Sequence, residues 1–170
     1  MDGVRILQIV GYKDSGKTTL MLELIRMAAA NGKTVAAVKH HGHPAALDMP
    51  PEETDSMRFF NSGAEASLVY GGGVIQQHVR NKEAAVEELV AMAAKADTDF
   101  IFIEGFKDAP YEKIVVIRSL SDWTKLKSLS HIVLVIAHEG VSVDDGDVVG
   151  RNETGRITGW FADWMERNST

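Results

Sequence analysis

Apolar residues arrive along this chain in short runs that alternate with segments of helical spacing. Val4–Val10 (VRILQIV) is a β-branched run of strand length, and Thr19–Ala30 (TLMLELIRMAAA) spaces its apolar side chains as a helix face does. Asn31-Gly32 then stops the helix, and Thr34–Lys39 (TVAAVK) reads as a second buried strand, completing a strand–helix–strand unit. His40–Pro51 is rich in turn residues and reads as a loop, followed by a short helix capped by Asp55 and running to about Asn61. Ala66–Tyr70 and Val74–Val79 flank three glycines as a hairpin or bent edge pair. Lys82–Lys95 puts Ala85, Val86, Leu89, Val90 and Ala93 on one helical face, with Asn81 as its N-cap. Asp99–Glu104, Lys113–Arg118 and His131–Ile136 read as strands, and a last helix starts near Thr154 with Trp160, Phe161 and Trp164 able to share a core or subunit-contact face.

This alternation predicts an α/β fold of three layers, a mainly parallel central sheet with helices on both faces. At 170 residues the chain is expected to form one domain over residues 1–170. Its formal charge of −6 argues against a protein that binds nucleic acid through a general basic field. The lack of cysteine rules out disulfides and thiolate metal sites. There is no basic-then-apolar leader, and no run nears the ~18 apolar residues that span a bilayer, so a soluble cytoplasmic chain with no membrane contact is expected.

The chemistry is concentrated in one octapeptide. Gly11-Tyr12-Lys13-Asp14-Ser15-Gly16-Lys17-Thr18 fills the phosphate-loop pattern G-x-x-x-x-G-K-S/T, and it lies between a predicted strand and a predicted helix, the frame that pattern requires. Gly11 and Gly16 allow a tight turn in which successive N–H groups converge on an anion. Lys17 would reach the β and γ phosphates, and Thr18 would offer its hydroxyl to Mg²⁺. The expected fold is therefore that of a P-loop NTPase.

Three further segments fall at the carboxyl ends of predicted strands, where open α/β sheets bind ligands. Phe100–Glu104 ends an apolar run in a carboxylate that would hold Mg²⁺ through water or orient an attacking water, unless it is an ordinary strand-end glutamate. Lys39 precedes His40-His41-Gly42-His43, readable as a phosphate- or substrate-contacting loop or as a metal site completed by Asp48, Glu52, Glu53 or Asp55. Lys13 and Lys107 lie on loops at the same edge and read either as ligand contacts or as solvated charges. The Asn-Lys-x-Asp signature of guanine recognition is absent, and Asn81-Lys82-Glu83-Ala84 matches it only superficially. Asp144, Asp145 and Asp147 read as guanine acceptors or as an acidic solvent loop.

Together the phosphate loop with Thr19, Val38–His43, Asp55-Ser56 with Arg58 and Gly63-Ala64, and Ile103-Glu104-Gly105-Phe106-Lys107 resemble the molybdopterin-guanine dinucleotide biosynthesis protein B (MobB) family. The resemblance spans most of residues 4 to 136. It implies a homodimeric GTP-binding protein with weak GTPase activity, an accessory to the MobA-type nucleotidyltransferase that attaches GMP to molybdopterin. By the same resemblance Gly11 to Thr19 would bind the GTP phosphates with Lys17 and Glu104 as the catalytic pair, and Thr18 and Glu104 would serve Mg²⁺. Lys39, His40, His41 and Lys107 would lie near the nucleotide or the pterin. In the wider group of dimeric phosphate-loop ATPases a second lysine follows the first glycine; here that place is Tyr12. Two other readings of the residues are a small-molecule kinase with Asp55 as base, and an interaction module whose loop holds a structural anion.

Overall fold

The computed structural model describes residues 3–42, 47–143 and 147–167, so His43, Asp144 and Asp145 lie outside the described residues. The elements are β1 (Arg5–Gly11), α1 (Lys17–Ala30), β2 (Val35–Lys39), α2 (Asp55–Asn61), β3 (Ala66–Gly71), β4 (Val74–Val79) and α3 (Val86–Ala93). They continue with β5 (Phe100–Glu104), β6 (Glu112–Ile117), α4 (Leu120–Leu126), β7 (Ile132–Ala137), β8 (Val148–Gly150) and α5 (Thr154–Glu166). Two compact units result, one of Met1–Gly42 with Val86–Thr170 and one of His43–Ala85.

In the larger unit six strands pair in the order β2-β5-β1-β6-β7-β8, every neighbouring pair parallel. The period-2 alternation of side chains divides the core between the two faces. Leu7 and Ile9 of β1, Phe100 and Phe102 of β5 and Ile114 and Val116 of β6 pack against Leu20 and Leu24 of α1 and against Ile157, Phe161 and Trp164 of α5. On the other face Ile101 and Ile103 meet Val86 and Val90 of α3, while Val10, Val115 and Val135 meet Leu126 of α4. Helices thus cover both faces, as expected. Among the described residues no helix is long and apolar enough to cross a membrane.

The smaller unit holds α2 and the antiparallel pair β3–β4, joined through Gly72 and Gly73, both at positive φ. Leu68, Val69, Tyr70, Val74 and Ile75 of this hairpin are exposed.

Several predicted boundaries move. The helix predicted over 82–95 runs only over Val86–Ala93: the Asn81 side chain accepts from the Glu83 N–H at 3.2 Å, a local turn bond that competes with helix formation. The N-cap of α2 is Thr54, with Asp55 in the first turn. The sequence reading missed α4, capped by Ser119, whose hydroxyl accepts from the Asp122 N–H at 3.1 Å, and it missed the short strand β8.

Trp164 anchors one face. It is fully buried, stacks near Phe161, meets Phe100 at a tilt, and donates its indole N–H to Glu112 Oε2 at 2.7 Å. Arg5 lies 3.9 Å from the ring centroid. Trp164→Ala is expected to lower the unfolding free energy by roughly 3–5 kcal/mol, the range for emptying a large aromatic site. Denaturant unfolding checks this, and a loss too small to resolve would show that the aromatic cluster collapses to fill the gap.

Candidate phosphate site

The end of β1 lies at a topological switch point, with β2 and β5 to one side and β6, β7 and β8 to the other. The loop from Gly11 to Thr18 stands at that point. A Cβ on Gly11 would come within 2.6 Å of both the Val116 carbonyl and the Ser15 hydroxyl, so the strand can turn there only as glycine. Asp14 and Gly16 follow at φ 59° and 88°, which bends the backbone into α1. Gly16 is the N-cap and carries no capping side chain. The first N–H groups of a helix have no partner within it, and here nothing on the cap residue covers them. Ser15 is fully buried beneath the loop, and its hydroxyl has no partner.

Lys17 folds back, its ammonium donating to the Tyr12 carbonyl at 2.7 Å. Burial pushes its pKa below the ordinary lysine value; Glu104 pulls it back up, and Lys107, Lys39 and Arg118 push it further down. Four cations therefore crowd one place on a chain of formal charge −6. An anion there would relieve their mutual repulsion.

On the β5 side, Glu104 is buried and Thr18 donates its hydroxyl to Glu104 Oε2 at 2.8 Å. Lys39 closes the group, 3.2 Å from Glu104 Oε1 and 3.5 Å from the Thr18 hydroxyl. The register explains this meeting, since Ile9 and Lys39 are both Cα partners of Glu104 on flanking strands. One hydroxyl beside one carboxylate fits a small hard divalent cation that takes its other ligands from phosphates and water. Among the described residues no group of three or more His, Asp and Glu is placed to hold a metal by itself.

The remaining predicted residues surround this core. Lys107 sits 4.0 Å from the Tyr12 ring centroid, so Tyr12, which stands in the second-lysine place, itself has a lysine over its face. The His40 ring lies 4.6 Å from that of Phe106, and the His40 backbone N–H donates to the Glu104 carbonyl at 2.9 Å. Lys13, Thr19 and His41 are exposed.

Two contacts were not anticipated from the sequence. Arg118 donates to the Lys13 carbonyl at 2.8 Å while Asp122 holds the same guanidinium at 3.0 Å. His138 Nε2 donates to the Ser15 carbonyl at 2.9 Å, which fixes its proton on that nitrogen. Both residues directly follow a strand, β6 and β7 respectively, and that position was the one sequence signal available.

The comparisons with known proteins follow the same geometry. The model of the family described as MobB, molybdopterin guanine dinucleotide synthesis protein B, matches residues 6–138. The chain belongs to the MobB family. It is 32% identical over 149 residues to the probable molybdopterin-guanine dinucleotide biosynthesis adapter protein of Bacillus subtilis, covering 84% of this chain and 86% of that one. It is 27% identical to the corresponding adapter protein of Haemophilus influenzae, over 95% of this chain and 90% of that one. The crystal structure of a MobB protein homolog from Bacillus stearothermophilus superposes with a TM-score of 0.77 at 30% identity, covering 94% of this chain and 97% of that one. The MobB match includes the phosphate loop, Glu104, Lys107, Arg118 and His138.

The Arg118–Asp122 pair gives this MobB site a pH signature. The hydrogen bond from Arg118 holds the Asp122 pKa below its ordinary 3.8. A carboxylate with a depressed folded value contributes stability that is fully present above its unfolded pKa and is lost as pH falls through the folded one. Asp122→Asn is thus expected to flatten the loss of stability below about pH 4 relative to the natural chain, read by thermal melts across pH. Parallel acid limbs would show that the pair adds nothing to the fold.

Proposed function

We propose that this chain is a GTP-binding adapter of molybdopterin-guanine dinucleotide biosynthesis, acting in the cytoplasm beside a MobA-type nucleotidyltransferase that attaches GMP to molybdopterin. The observation that carries this reading is the meeting of Thr18, Glu104 and Lys39 next to Lys17 at an uncapped helix end, in a member of a family whose relatives are named as adapters. The backbone of Gly11 to Thr19 and the Lys17 ammonium would hold the triphosphate, with Lys17 exchanging the Tyr12 carbonyl for phosphate oxygens. Mg²⁺, when bound, would neutralise charge between the phosphates, with the Thr18 hydroxyl as ligand and Glu104 hydrogen-bonded to its water. Lys39, His40, His41 and Lys107 would contact the rest of the ligand, nucleotide or pterin.

Hydrolysis should be slow. Among the described residues Arg118, the arginine nearest the phosphate loop's own carbonyls, is already engaged by Asp122 and the Lys13 carbonyl in the ligand-free chain. An adapter that holds GTP for a partner needs no fast turnover. In a pull-down the nucleotidyltransferase is expected to be retained more strongly with GTP than without it. Loss of contact under both conditions would overturn the adapter reading.

The homodimer belongs to the same proposal. A two-stranded hairpin is marginal by itself, and this one exposes Leu68, Val69, Tyr70, Val74 and Ile75, an apolar surface suited to a second copy of the chain. Light scattering is expected to give twice the chain mass, and Tyr70→Asp with Ile75→Asp is expected to give the single chain. A natural chain that stays monomeric at micromolar concentration would contradict the dimer.

A further inference from the structure

Between β5 and β6 the chain must pass over β1, because β1 lies between them in the sheet. Parallel strands are ordinarily joined through about a dozen residues or more, usually a helix that satisfies its own backbone. Here the connection is only the irregular segment Gly105–Tyr111. It lies against the α3 side of the sheet, where Phe106, Ala109 and Tyr111 pack with Ile101 and Ile103. Carbonyls in such a segment are pressed onto an apolar surface with no helical ladder to receive them.

Two buried polar side chains supply what the helix would have supplied. Gln8 and Lys113 are fully buried, and they are Cα partners on β1 and β6. Gln8 Nε2 donates to the Gly105 carbonyl at 2.6 Å and also to the Phe106 carbonyl. Lys113 Nζ donates to Ala109 at 2.7 Å, Tyr111 at 3.0 Å and Ser130 at 2.8 Å, all through carbonyls. The segment is thus held at its start and at its end by neighbouring residues of adjacent strands. The start is also where the backbone is strained, at Phe106 with φ 49°, just after Gly105 turns at φ 96°. A Cβ on Gly105 would come within 2.8 Å of the His40 Cβ. Strand interiors at these positions ordinarily take apolar residues, and among the described residues Gln8 Oε1 has no partner, so burial in the strand alone gives no reason for a glutamine here.

The clamped segment adjoins one residue of the candidate site and contains another. Glu104 directly precedes the strained turn, and Lys107 lies just beyond it with its ammonium over the Tyr12 ring. We propose that Gln8 and Lys113 are positioning residues of the phosphate site, fixing the Gly105–Tyr111 segment so that Glu104 and Lys107 face the phosphate loop. Their meaning for GTP rests on the nucleotide reading above, while their effect on Lys107 is a property of the ligand-free chain.

The experiment has an arm for each. In ¹H–¹³C spectra of the full chain without ligand, the Lys107 side-chain protons nearest the ammonium should be shifted upfield by the Tyr12 ring. Gln8→Met should abolish most of that shift while the Phe161 and Trp164 signals of the opposite face stay in place. Lys113→Met, which frees the other end of the segment, is the independent variant and should give the same loss. In GTP titration Gln8→Met should weaken binding on the order of tenfold, the equivalent of one charge-assisted hydrogen bond. In a Lys107→Ala background the same change should cost less than in the natural chain, because part of its effect passes through Lys107. An unchanged Lys107 shift in both variants, or losses that add independently, would overturn the proposal. If the shift responds but no chain binds GTP, the positioning stands and the nucleotide reading falls.

Discussion

Everything at this site depends on one junction, where β1 ends against β6 at Gly11 and α1 begins uncapped at Gly16. The space between Gly11, the Val116 carbonyl and the Ser15 hydroxyl admits no side chain, so the backbone itself forms the wall of the site. With glycine as the cap, the opening N–H groups of α1 remain available to an anion. The parallel sheet then does the rest: it places the ends of β2, β5, β6 and β7 around that opening, and each contributes a residue to it.

The electrostatics follow from this arrangement. A chain with net negative charge gathers Lys39, Lys107 and Arg118 near Lys17, whose ammonium is held below its ordinary pKa by burial and by these cationic neighbours. Such clustering is unfavourable without an anion. It is maintained because each cation is tied down: Lys39 by Glu104, Arg118 by Asp122, Lys17 by a loop carbonyl and Lys107 over the Tyr12 ring. On the proposed nucleotide reading, these ties would hold the cations in place before a polyanion arrives.

How much of this was legible depended on whether the determinant was local. The phosphate loop could be read because its geometry is set by residues within one octapeptide, and Glu104 because it closes a continuous apolar run. The three-layer sheet followed from the same alternation of runs. Arg118 and His138 could not be read, because each reaches the loop across the sheet edge from a strand distant in sequence. Gln8 and Lys113 were hidden inside runs whose apolar neighbours made them look incidental, and only the shortness of the β5–β6 connection gives them a reason. The helix α4 was missed although Ser119 and Asp122 carry its cap at the proper spacing, and α3 was drawn too long because Asn81 read as its N-cap, whereas the Asn81 side chain closes a local turn onto Glu83 ahead of the helix.

The central claim is that this junction binds the phosphates of GTP with help from a metal held at Thr18 and Glu104. The most direct measurement is calorimetric titration of GTP into the natural chain and into Lys17→Ala, each with Mg²⁺ present and then chelated. Binding by the natural chain that tightens with Mg²⁺, and its loss in Lys17→Ala, is the expected result. Equal binding by both chains, or binding indifferent to Mg²⁺, would contradict it.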